Sequence, residues 1–308
     1  MRTIITGGTG LIGTALAISL VSDGHEVIVL SRSPQRTDRL PPEARVVGWD
    51  ARTAKGWGDL VEGADAIVNL AGANLAGQGL LPNRWTEERK RILVESRVKA
   101  GQAVLEAVGQ ARVKPGVLVQ ASGVGYYGDR GDEVVTEQTG AGDDFLAQLA
   151  AQEWEPITAP VEKMGVRRVI IRTGAVFSHD EGALPSMALP FRLFAGGPIG
   201  AGKQWHSWIH LKDEVRAIRF LIDRDQATGP FNLTSPNPLP NAELARVLGR
   251  VLNRPAWLPL PAFVMRLAFG EVSDVLLTGQ RAIPQRLLDL GFEFRFADPE
   301  AALRDLLA

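Results

Sequence analysis

The chain has 308 residues, 45% of them hydrophobic, and a formal net charge of −1. Its length is enough for one large α/β domain or two modest ones, and its balanced charge disfavours a nucleic-acid-binding surface. The chain contains no cysteine, which excludes disulfides, thiolate catalysis and cysteine-ligated metals and fits a cytoplasmic protein. We expect no membrane partner, because the first apolar run stops at glycines and no run is long enough to span a bilayer.

The first distinctive stretch joins a short apolar strand pattern to regularly spaced glycines, Gly7, Gly10 and Gly13, and then to a helix pattern over about 11–22. The first glycine permits a sharp turn, the second a close approach of backbone to phosphate, and the third close packing of helix on strand. The helix N-terminus then offers free N–H groups to a pyrophosphate. The stretch predicts a dinucleotide site. We assign to it Gly7, Thr9, Gly10, Leu11, Ile12 and Gly13.

The residues after the second predicted strand, 26–30, indicate which dinucleotide binds. An NAD site places Asp or Glu there, bonded to the ribose 2′-hydroxyl. This chain has Ser31 and Arg32 instead, and a guanidinium suits a 2′-phosphate. The alternative is a solvated loop arginine. The sequence therefore predicts NADP(H) as the cofactor rather than NAD(H).

Two further predicted strands, 45–50 and 66–72, add cofactor candidates. Asp50 ends the first of them, where an acidic residue could contact the adenine edge. The second runs into Leu70, Ala71 and Gly72, where small residues let backbone lie against the cofactor. A Gly/Asn/Pro-rich loop then extends to Asn83.

A long helix is predicted from about Thr86 to Val108, with Thr86 as its N-cap. The apolar stripe that we predict for this helix begins at Ile92 and continues through small residues at helical spacing. Arg97 lies beside that stripe. It either reaches the cofactor phosphates or belongs to the surface.

The fifth predicted strand, 117–121, ends at Ser122, where the carboxyl end of a parallel strand meets ligand. Tyr126 and Tyr127 follow and are the chain's only tyrosines. Either could supply a phenol for proton transfer; equally, one could pack in the core while the other lines a cleft. A sixth strand at 168–172 completes an alternation of strands and helices that predicts a doubly wound parallel sheet.

Beyond Thr173 the pattern changes to Gly/Pro-rich segments and helices. We assign residues 1–175 to a dinucleotide-binding domain, to which 208–235 return, and residues 176–207 and 236–308 to a smaller, mostly helical substrate lobe with a C-terminal extension. The aromatic residues Trp205 and Trp208 form either a wall over the substrate or part of the core. His206 and His210 lie four residues apart, but no acidic cluster accompanies them, so we predict no metal site. Asn241 and Asp298 are predicted helix N-caps.

Together these residues resemble the extended short-chain dehydrogenase/reductase superfamily over essentially the whole chain. The motifs that carry the resemblance are 6–13, 69–72, 172–174 and 208–213. More narrowly, segments 84–86, 125–128, 154–155 and 196–202 resemble the NAD-dependent epimerase/dehydratase-like "epimerase family proteins", which share a C-terminal extension. The resemblance implies a Rossmann fold that binds NADP through Ser31, Arg32, Leu70, Ala71 and Arg97.

One motif of the superfamily is missing. Its acid/base pair, Tyr-x-x-x-Lys, belongs on the helix after the fifth strand, but residues 145–152 contain neither tyrosine nor lysine. Ser122 does match the superfamily's serine. The leading hypothesis is an oxidoreductase or nucleotide-sugar epimerase-like enzyme for a small carbonyl or hydroxyl substrate, with Ser122, Tyr126 and Tyr127 as catalytic candidates. The alternative is an NADP(H)-sensing or scaffold protein without redox turnover. The sequence leaves open whether two copies of the chain form a homodimer.

Overall fold

The computed structural model describes residues 1–35, 37–75, 77 and 83–307, so the loop predicted between Gly72 and Asn83 lies partly outside the described residues. Its strands are β1 Arg2–Thr6, β2 Glu26–Ser31, β3 Arg45–Gly48, β4 Ala66–Asn69, β5 Val117–Gly123, β6 Val134–Val135, β7 Arg167–Thr173, β8 Ala175–Phe177, β9 Trp205–His206, β10 Trp208–His210, β11 Gly229–Leu233, β12 Leu239–Pro240 and β13 Arg281–Ala282. Its α-helices are α1 Leu11–Ser22, α2 Glu87–Gln110, α3 Phe145–Gln148, α4 Ala183–Arg192, α5 Leu211–Asp223, α6 Asn241–Leu252, α7 Ala262–Phe269, α8 Asp274–Leu277, α9 Gln285–Asp289 and α10 Pro299–Leu307.

Within the described residues, a seven-stranded sheet in the order β11-β7-β5-β4-β1-β2-β3 forms the centre of the molecule. All of its strand pairs are parallel. The middle strands are apolar on both faces because helices cover both. This is the predicted doubly wound Rossmann-type sheet, and the prediction of fold class is confirmed. Its carboxyl ends bring β1, β4, β5 and β7 to one edge, where the candidate site lies.

The helices form two layers on the sheet. Helices α1 and α5 cover one face. Helix α2 covers the other together with a π-helical turn, Leu149–Trp154, and a 3₁₀ helix, Pro156–Met164. At its start, the apolar stripe predicted for α2 does not coincide with the face that packs on the sheet. Ile92 is 42% exposed, whereas Leu93 and Arg97 are buried.

The C-terminal half contributes a third apolar cluster, built mainly from α4, α6 and α10. Trp208 is fully buried there and stacks on Phe177 with ring centroids 5.5 Å apart, so it belongs to the core rather than to a lid. Short strand pairs, β10 with β8 and β13 with β6, tie this half to the ends of the central strands. No helix in the described ranges has the length and apolar character that crossing a membrane requires.

The helix termini test three capping predictions. Thr86 caps α2 by accepting a hydrogen bond from the Arg89 N–H at 3.1 Å, and Asp298 caps α10 by accepting one from the Ala301 N–H at 2.7 Å. The prediction for Asn241 is wrong, because Asn241 is the first residue of α6 and follows its cap, Pro240. Its side chain accepts from the Ile199 N–H instead.

Candidate functional site

The glycine turn after β1 is tightly packed. Gly7 has φ +65°, and a Cβ there would lie 2.9 Å from the carbonyl of Leu70. A Cβ on Gly13 would lie 2.5 Å from the carbonyl oxygen of Gly7, which explains why helix and strand need a glycine at that position. Helix α1 begins at Leu11, and its N-cap, Gly10, brings no capping side chain. The first N–H groups of α1 are therefore available to an anion.

A cleft of about 380 Å³ lies beside this turn, between the ends of β1 and β2. Its lining includes the predicted cofactor residues Thr9, Ser31 and Arg32 and also Arg39. Ser31 is buried and accepts a hydrogen bond from the Ser33 N–H at 3.1 Å. Arg39 forms an ion pair with Glu181, whereas Arg32 has no ion pair with any described residue. An exposed guanidinium without a counter-ion in a cleft suits a phosphate.

Asp50 lies just past the end of β3 and is exposed. Its carboxylate accepts hydrogen bonds from the Arg52 N–H at 2.7 Å and from the Thr53 N–H at 2.8 Å. The Thr53 bond is the main reason that the pKa of Asp50 is lowered. The carboxylate thus caps its own turn, and its contact with an adenine stays a prediction.

Arg97 is only 5% exposed, so the reading of it as a surface residue is wrong. Its guanidinium lies 4.5 Å from the centroid of the Trp154 ring, and a Cβ on Gly72 would lie 3.2 Å from its Cζ. Burial, reinforced by the charge of Arg89, lowers the pKa of Arg97 to about 10. Its Nε has no hydrogen-bond partner among the described residues. Its Nη1 donates to the Leu93 carbonyl at 2.9 Å, but the guanidinium forms no ion pair with any described residue. A buried positive charge without a counter-ion is costly, which makes an anionic ligand its natural complement.

Ser122 lies at the carboxyl end of β5 in a buried polar network. Its hydroxyl donates to Oε1 of Glu155 at 2.7 Å. Glu155 also accepts two hydrogen bonds at 2.9 Å from Arg172, one on each oxygen. Burial opposes the charge of Arg172, but the hydrogen bonds and charge of Glu155 outweigh burial and raise the pKa of Arg172. Glu155 is thus the group that the helix after the fifth strand presents to the serine.

The two tyrosines have different environments. Tyr127 is 0% exposed, and its hydroxyl donates to Oδ1 of Asn232 at 2.7 Å while accepting from Arg172 at 3.1 Å. Burial raises the pKa of Tyr127 to about 12. Tyr126 is half-buried, and its ring stacks on the guanidinium of Arg172 with the Cζ 3.4 Å from the ring centroid. Its hydroxyl has no hydrogen-bond partner among the described residues. Burial thus argues against Tyr127 as a proton donor and leaves Tyr126 as the reachable phenol.

Another buried carboxylic acid lies at the end of β7, on helix α5. Glu214, in the first turn of α5, is fully buried and accepts a hydrogen bond from the Thr173 hydroxyl at 2.8 Å. Burial raises the pKa of Glu214 to about 8, although that hydrogen bond opposes the shift. Its other oxygen, Oε2, has no partner in the described part of the chain. Glu214 is thus largely uncharged at neutral pH.

The two histidines singled out in the sequence hold local structure. His210 caps α5, since its Nδ1 accepts from the Lys212 N–H at 3.0 Å, and its Nε2 lies 3.2 Å from a carboxylate oxygen of Asp305. The Nε2 of His206 lies 3.0 Å from the side-chain nitrogen of Asn241. In the described ranges, no group of three or more histidine or acidic side chains is placed to hold a metal ion.

The glycine turn, the phosphate-binding features and the parallel sheet define a Rossmann-type dinucleotide-binding protein. A model of the NAD dependent epimerase/dehydratase family matches residues 3–234, and a model described only as a domain of unknown function matches residues 260–306. The chain belongs to the NAD dependent epimerase/dehydratase family.

Individual relatives agree with that assignment. An epimerase family protein of Bacillus subtilis is 37% identical over 100% of this chain and 98% of its own length. The crystal structure of a human epimerase family protein with NADPH is similar at a TM-score of 0.88 and 35% identity, covering 99% of both chains. A nucleoside-diphosphate sugar epimerase from Corynebacterium glutamicum is similar at a TM-score of 0.77 and 34% identity, covering 100% of this chain and 58% of that one.

Proposed function

We propose that the chain binds NADP(H) along the carboxyl edge of its sheet. The observation that carries this proposal is a pair of guanidiniums that form no ion pair with any described residue: Arg32 in the cleft beside Ser31, and Arg97 buried beside Gly72. In this assignment Arg32 binds the 2′-phosphate, and the free N–H groups of α1 bind the pyrophosphate. The human relative crystallised with NADPH supports this choice of cofactor.

The reaction that fits this site is oxidation or reduction of a small carbonyl or hydroxyl substrate, as in an oxidoreductase or an epimerase. When bound, the nicotinamide accepts or supplies the hydride. Ser122 holds the substrate oxygen, and Tyr126, whose hydroxyl has no partner among the described residues, delivers or removes the proton. Arg172 stacks its guanidinium on the Tyr126 ring, with the Cζ 3.4 Å from the ring centroid, and so holds the ring in place.

The substrate class is a hydroxylated small molecule. The similar Corynebacterium protein is described as a nucleoside-diphosphate sugar epimerase, which makes sugar nucleotides the first compounds to try. Helices and loops of residues 176–207 and 236–308 contribute the walls of the substrate site in this proposal, and residues 1–175 with 208–235 the cofactor half.

A second candidate function is NADP(H) binding without redox turnover. The absence of a Tyr-x-x-x-Lys pair in segment 145–152 favours it, and so does the burial of Tyr127. In that case the protein would report the NADPH/NADP ratio through its bound state rather than change it.

Turnover separates the two candidates. The experiment uses a panel of aldehydes, ketones, sugar nucleotides and polyols. It follows the absorbance of NADPH as the cofactor is oxidised or, starting from NADP, reduced. An enzyme is expected to change the absorbance with at least one compound, and Tyr126→Phe is expected to lower kcat by about 10²-fold or more. Tyr127→Phe is the matched control and should leave most of kcat intact.

Equal kcat values for wild type, Tyr126→Phe and Ser122→Ala on an identified substrate would refute these catalytic roles. Tight NADPH binding without any turnover across the panel would favour the second candidate instead.

A further inference from the structure

A cavity of about 680 Å³, here called the arginine cavity, lies at the C-terminal end of helix α6. The described residues that line it include three arginines and no acid, and they are Arg246, Gly249, Arg250, Asn253, Arg254 and Ala256. It shares none of these residues with the cleft beside the glycine turn. Arg246 and Arg250 are exposed, so a dissolved anion can reach the cavity.

The backbone at the end of α6 holds Arg254 in place. Asn253 has φ +53° and caps the helix, and the N–H of Arg254 then donates to the Gly249 carbonyl at 2.8 Å. The guanidinium of Arg254 stacks on the Phe194 ring, with the Cζ 4.5 Å from the ring centroid, and its Nη1 donates to the Asn253 carbonyl at 3.0 Å. Arg254 is thus ordered at the cavity by contacts within the chain.

The positive charges around the arginine cavity are only partly neutralised. Neither Arg246 nor Arg254 forms an ion pair with any described residue, and Nε of Arg254 has no hydrogen-bond partner among them. Arg250 pairs with Glu300 at 2.9 Å. The same Glu300 also pairs with Arg304 at 2.7 Å, so one carboxylate serves two guanidiniums. Positive charge is therefore in excess at this cavity.

The dipole of α6 accounts for only one of the three arginines. Arg250 lies in the last turn, where a cation interacts favourably with the negative end of the helix. Arg246 lies a turn earlier and Arg254 lies beyond the cap, and the effect of the dipole falls off outside the last turn. Guanidiniums bind phosphate oxygens through two parallel N–H bonds. Three of them around one open space suit a ligand with several phosphate charges.

We propose that the arginine cavity is a binding site for a chain of two or more phosphates, either an inorganic polyphosphate or the polyphosphate of a nucleotide. Arg246 and Arg254 bind the phosphate oxygens, and Arg250 adds to the positive field. This site is separate from the cofactor cleft, and its assignment does not depend on NADP(H) binding.

Calorimetric titration of sodium tripolyphosphate into wild type and Arg246→Gln tests the inference. Arg246 is exposed and has no partner among the described residues, so its replacement should leave the fold intact. We expect Arg246→Gln to weaken binding about tenfold, the loss expected for one charge-assisted contact. Arg266→Gln is the matched control, because it removes an exposed guanidinium of α7 that pairs with Asp274, and it should change the affinity less than about twofold.

Three results would overturn the inference. These are the absence of saturable tripolyphosphate binding by wild type, equal weakening in Arg246→Gln and Arg266→Gln, and binding that is lost in Arg32→Ala but retained in Arg246→Gln. The last result would place the phosphates in the cofactor cleft. An NADPH titration of Arg246→Gln should match wild type, so failure at this cavity is distinguishable from failure of the proposed function.

Two further probes identify the ligand. ATP carries the same number of phosphates as tripolyphosphate, so ATP binding that is tighter, and that weakens in Arg246→Gln, assigns the site to a nucleotide. Equal affinities assign it to the phosphate chain alone. Sulfate, a single small anion, should bind at least about tenfold more weakly than tripolyphosphate, because the attraction grows with the charge of the ligand. Equal affinities for sulfate and tripolyphosphate would contradict the proposed ligand class.

Discussion

Adjacent tyrosines illustrate how far a residue's chemistry depends on its surroundings. Tyr126 and Tyr127 are neighbours in sequence and their rings lie 5.2 Å apart, edge to face. The hydroxyl of Tyr127 donates to Asn232 and accepts from Arg172. The hydroxyl of Tyr126 has no hydrogen-bond partner in the described structure. The catalytic hypothesis therefore concentrates on Tyr126, and Tyr127 supports the network from inside.

Ultraviolet titration at the phenolate band can separate these tyrosines, because the chain has only two. Burial raises the pKa of Tyr127 to about 12, so we expect its ionisation step near pH 12. Tyr126→Phe should leave that step in place, and Tyr127→Phe should abolish it. A step near pH 12 that survives in Tyr127→Phe would contradict the assignment.

Glu214 makes stability depend on pH. Burial raises the pKa of Glu214 from 4.5 to about 8, so the folded state holds this proton more tightly than the unfolded state does. The contribution is fully present below about pH 4.5 and is lost as pH rises through 8. Because one pKa unit corresponds to about 1.4 kcal/mol, the expected loss is on the order of a few kcal/mol.

Glu214→Gln provides the test of that dependence. Urea unfolding of wild type and Glu214→Gln between pH 5 and pH 9 should show a stability decline in wild type that is much flatter in the variant. Parallel curves for the two proteins would show that Glu214 does not titrate in this range.

At the scale of elements, the contact between α1 and β1 depends on Gly13. A Cβ there would meet backbone atoms at 2.5 Å and 2.6 Å, from Gly7 and Gly8, which cannot move aside cheaply. We expect Gly13→Ala to lower the free energy of unfolding by about 2 kcal/mol or more and to weaken NADPH binding.

Gly109→Ala is the matched control for that substitution. Gly109 lies in α2, and its nearest neighbour would be the flexible end of Met164 at 4.0 Å. Alanine favours a helix over glycine, so Gly109→Ala should leave stability unchanged or raise it by up to about 1 kcal/mol. Equal effects of the two substitutions would contradict the packing described here.

The N-cap of α2 offers another measurement at this scale. Thr86→Ala removes the side-chain oxygen that accepts from the Arg89 N–H, at an expected cost of about 1 kcal/mol. Thr86→Ser keeps the oxygen and should lose much less. Urea unfolding that finds both variants equal to wild type would show that the cap contributes nothing.

Local patterns in the sequence predict much of the architecture because they depend on neighbouring residues. The glycine turn, the bounds of α1, and the caps at Thr86 and Asp298 all follow from such patterns. Ile92 shows where this fails, since helical periodicity fixes the spacing of a stripe but not its phase against the sheet. The N-cap prediction for Asn241 is wrong because the side chain accepts from the N–H of Ile199, a residue that lies far away in the chain.

The polar network at Ser122 could not be predicted from the sequence, because its members lie far apart along the chain. Trp154-Glu155 and Arg172-Thr173 stand out as family motifs, but nothing local pairs Glu155 with Arg172 across the 3₁₀ helix and β7. The burial of Arg97 was likewise hidden, because an arginine beside an apolar stripe is usually solvated. The packing of α2 on the sheet buries Arg97, and this packing depends on contacts that are distant in sequence.

At the scale of the whole molecule, the C-terminal half closes over the carboxyl edge of the sheet. Lys90 of α2 forms a 2.6 Å ion pair with Glu271, and Arg84 donates to the carbonyls of Leu267 and Ala268 at the end of α7. Strand β13 pairs with β6 in the loop beyond the tyrosines. The glycine turn, Ser122 and the C-terminal half thus surround one edge, as a dinucleotide and a substrate bound end to end require.

The central claim, that this edge binds NADP(H), is tested most directly by titrating NADPH and NADH into wild type, Arg32→Ala and Arg39→Ala by calorimetry. Arg39 lines the same cleft but is already paired with Glu181, so it is the matched control. We expect wild type to bind NADPH at least about 10-fold more tightly than NADH, since a charge-assisted contact contributes about 1.5–3 kcal/mol. Arg32→Ala should remove most of that preference and Arg39→Ala little of it. Equal affinities of wild type for NADPH and NADH, or an unchanged preference in Arg32→Ala, would contradict the account.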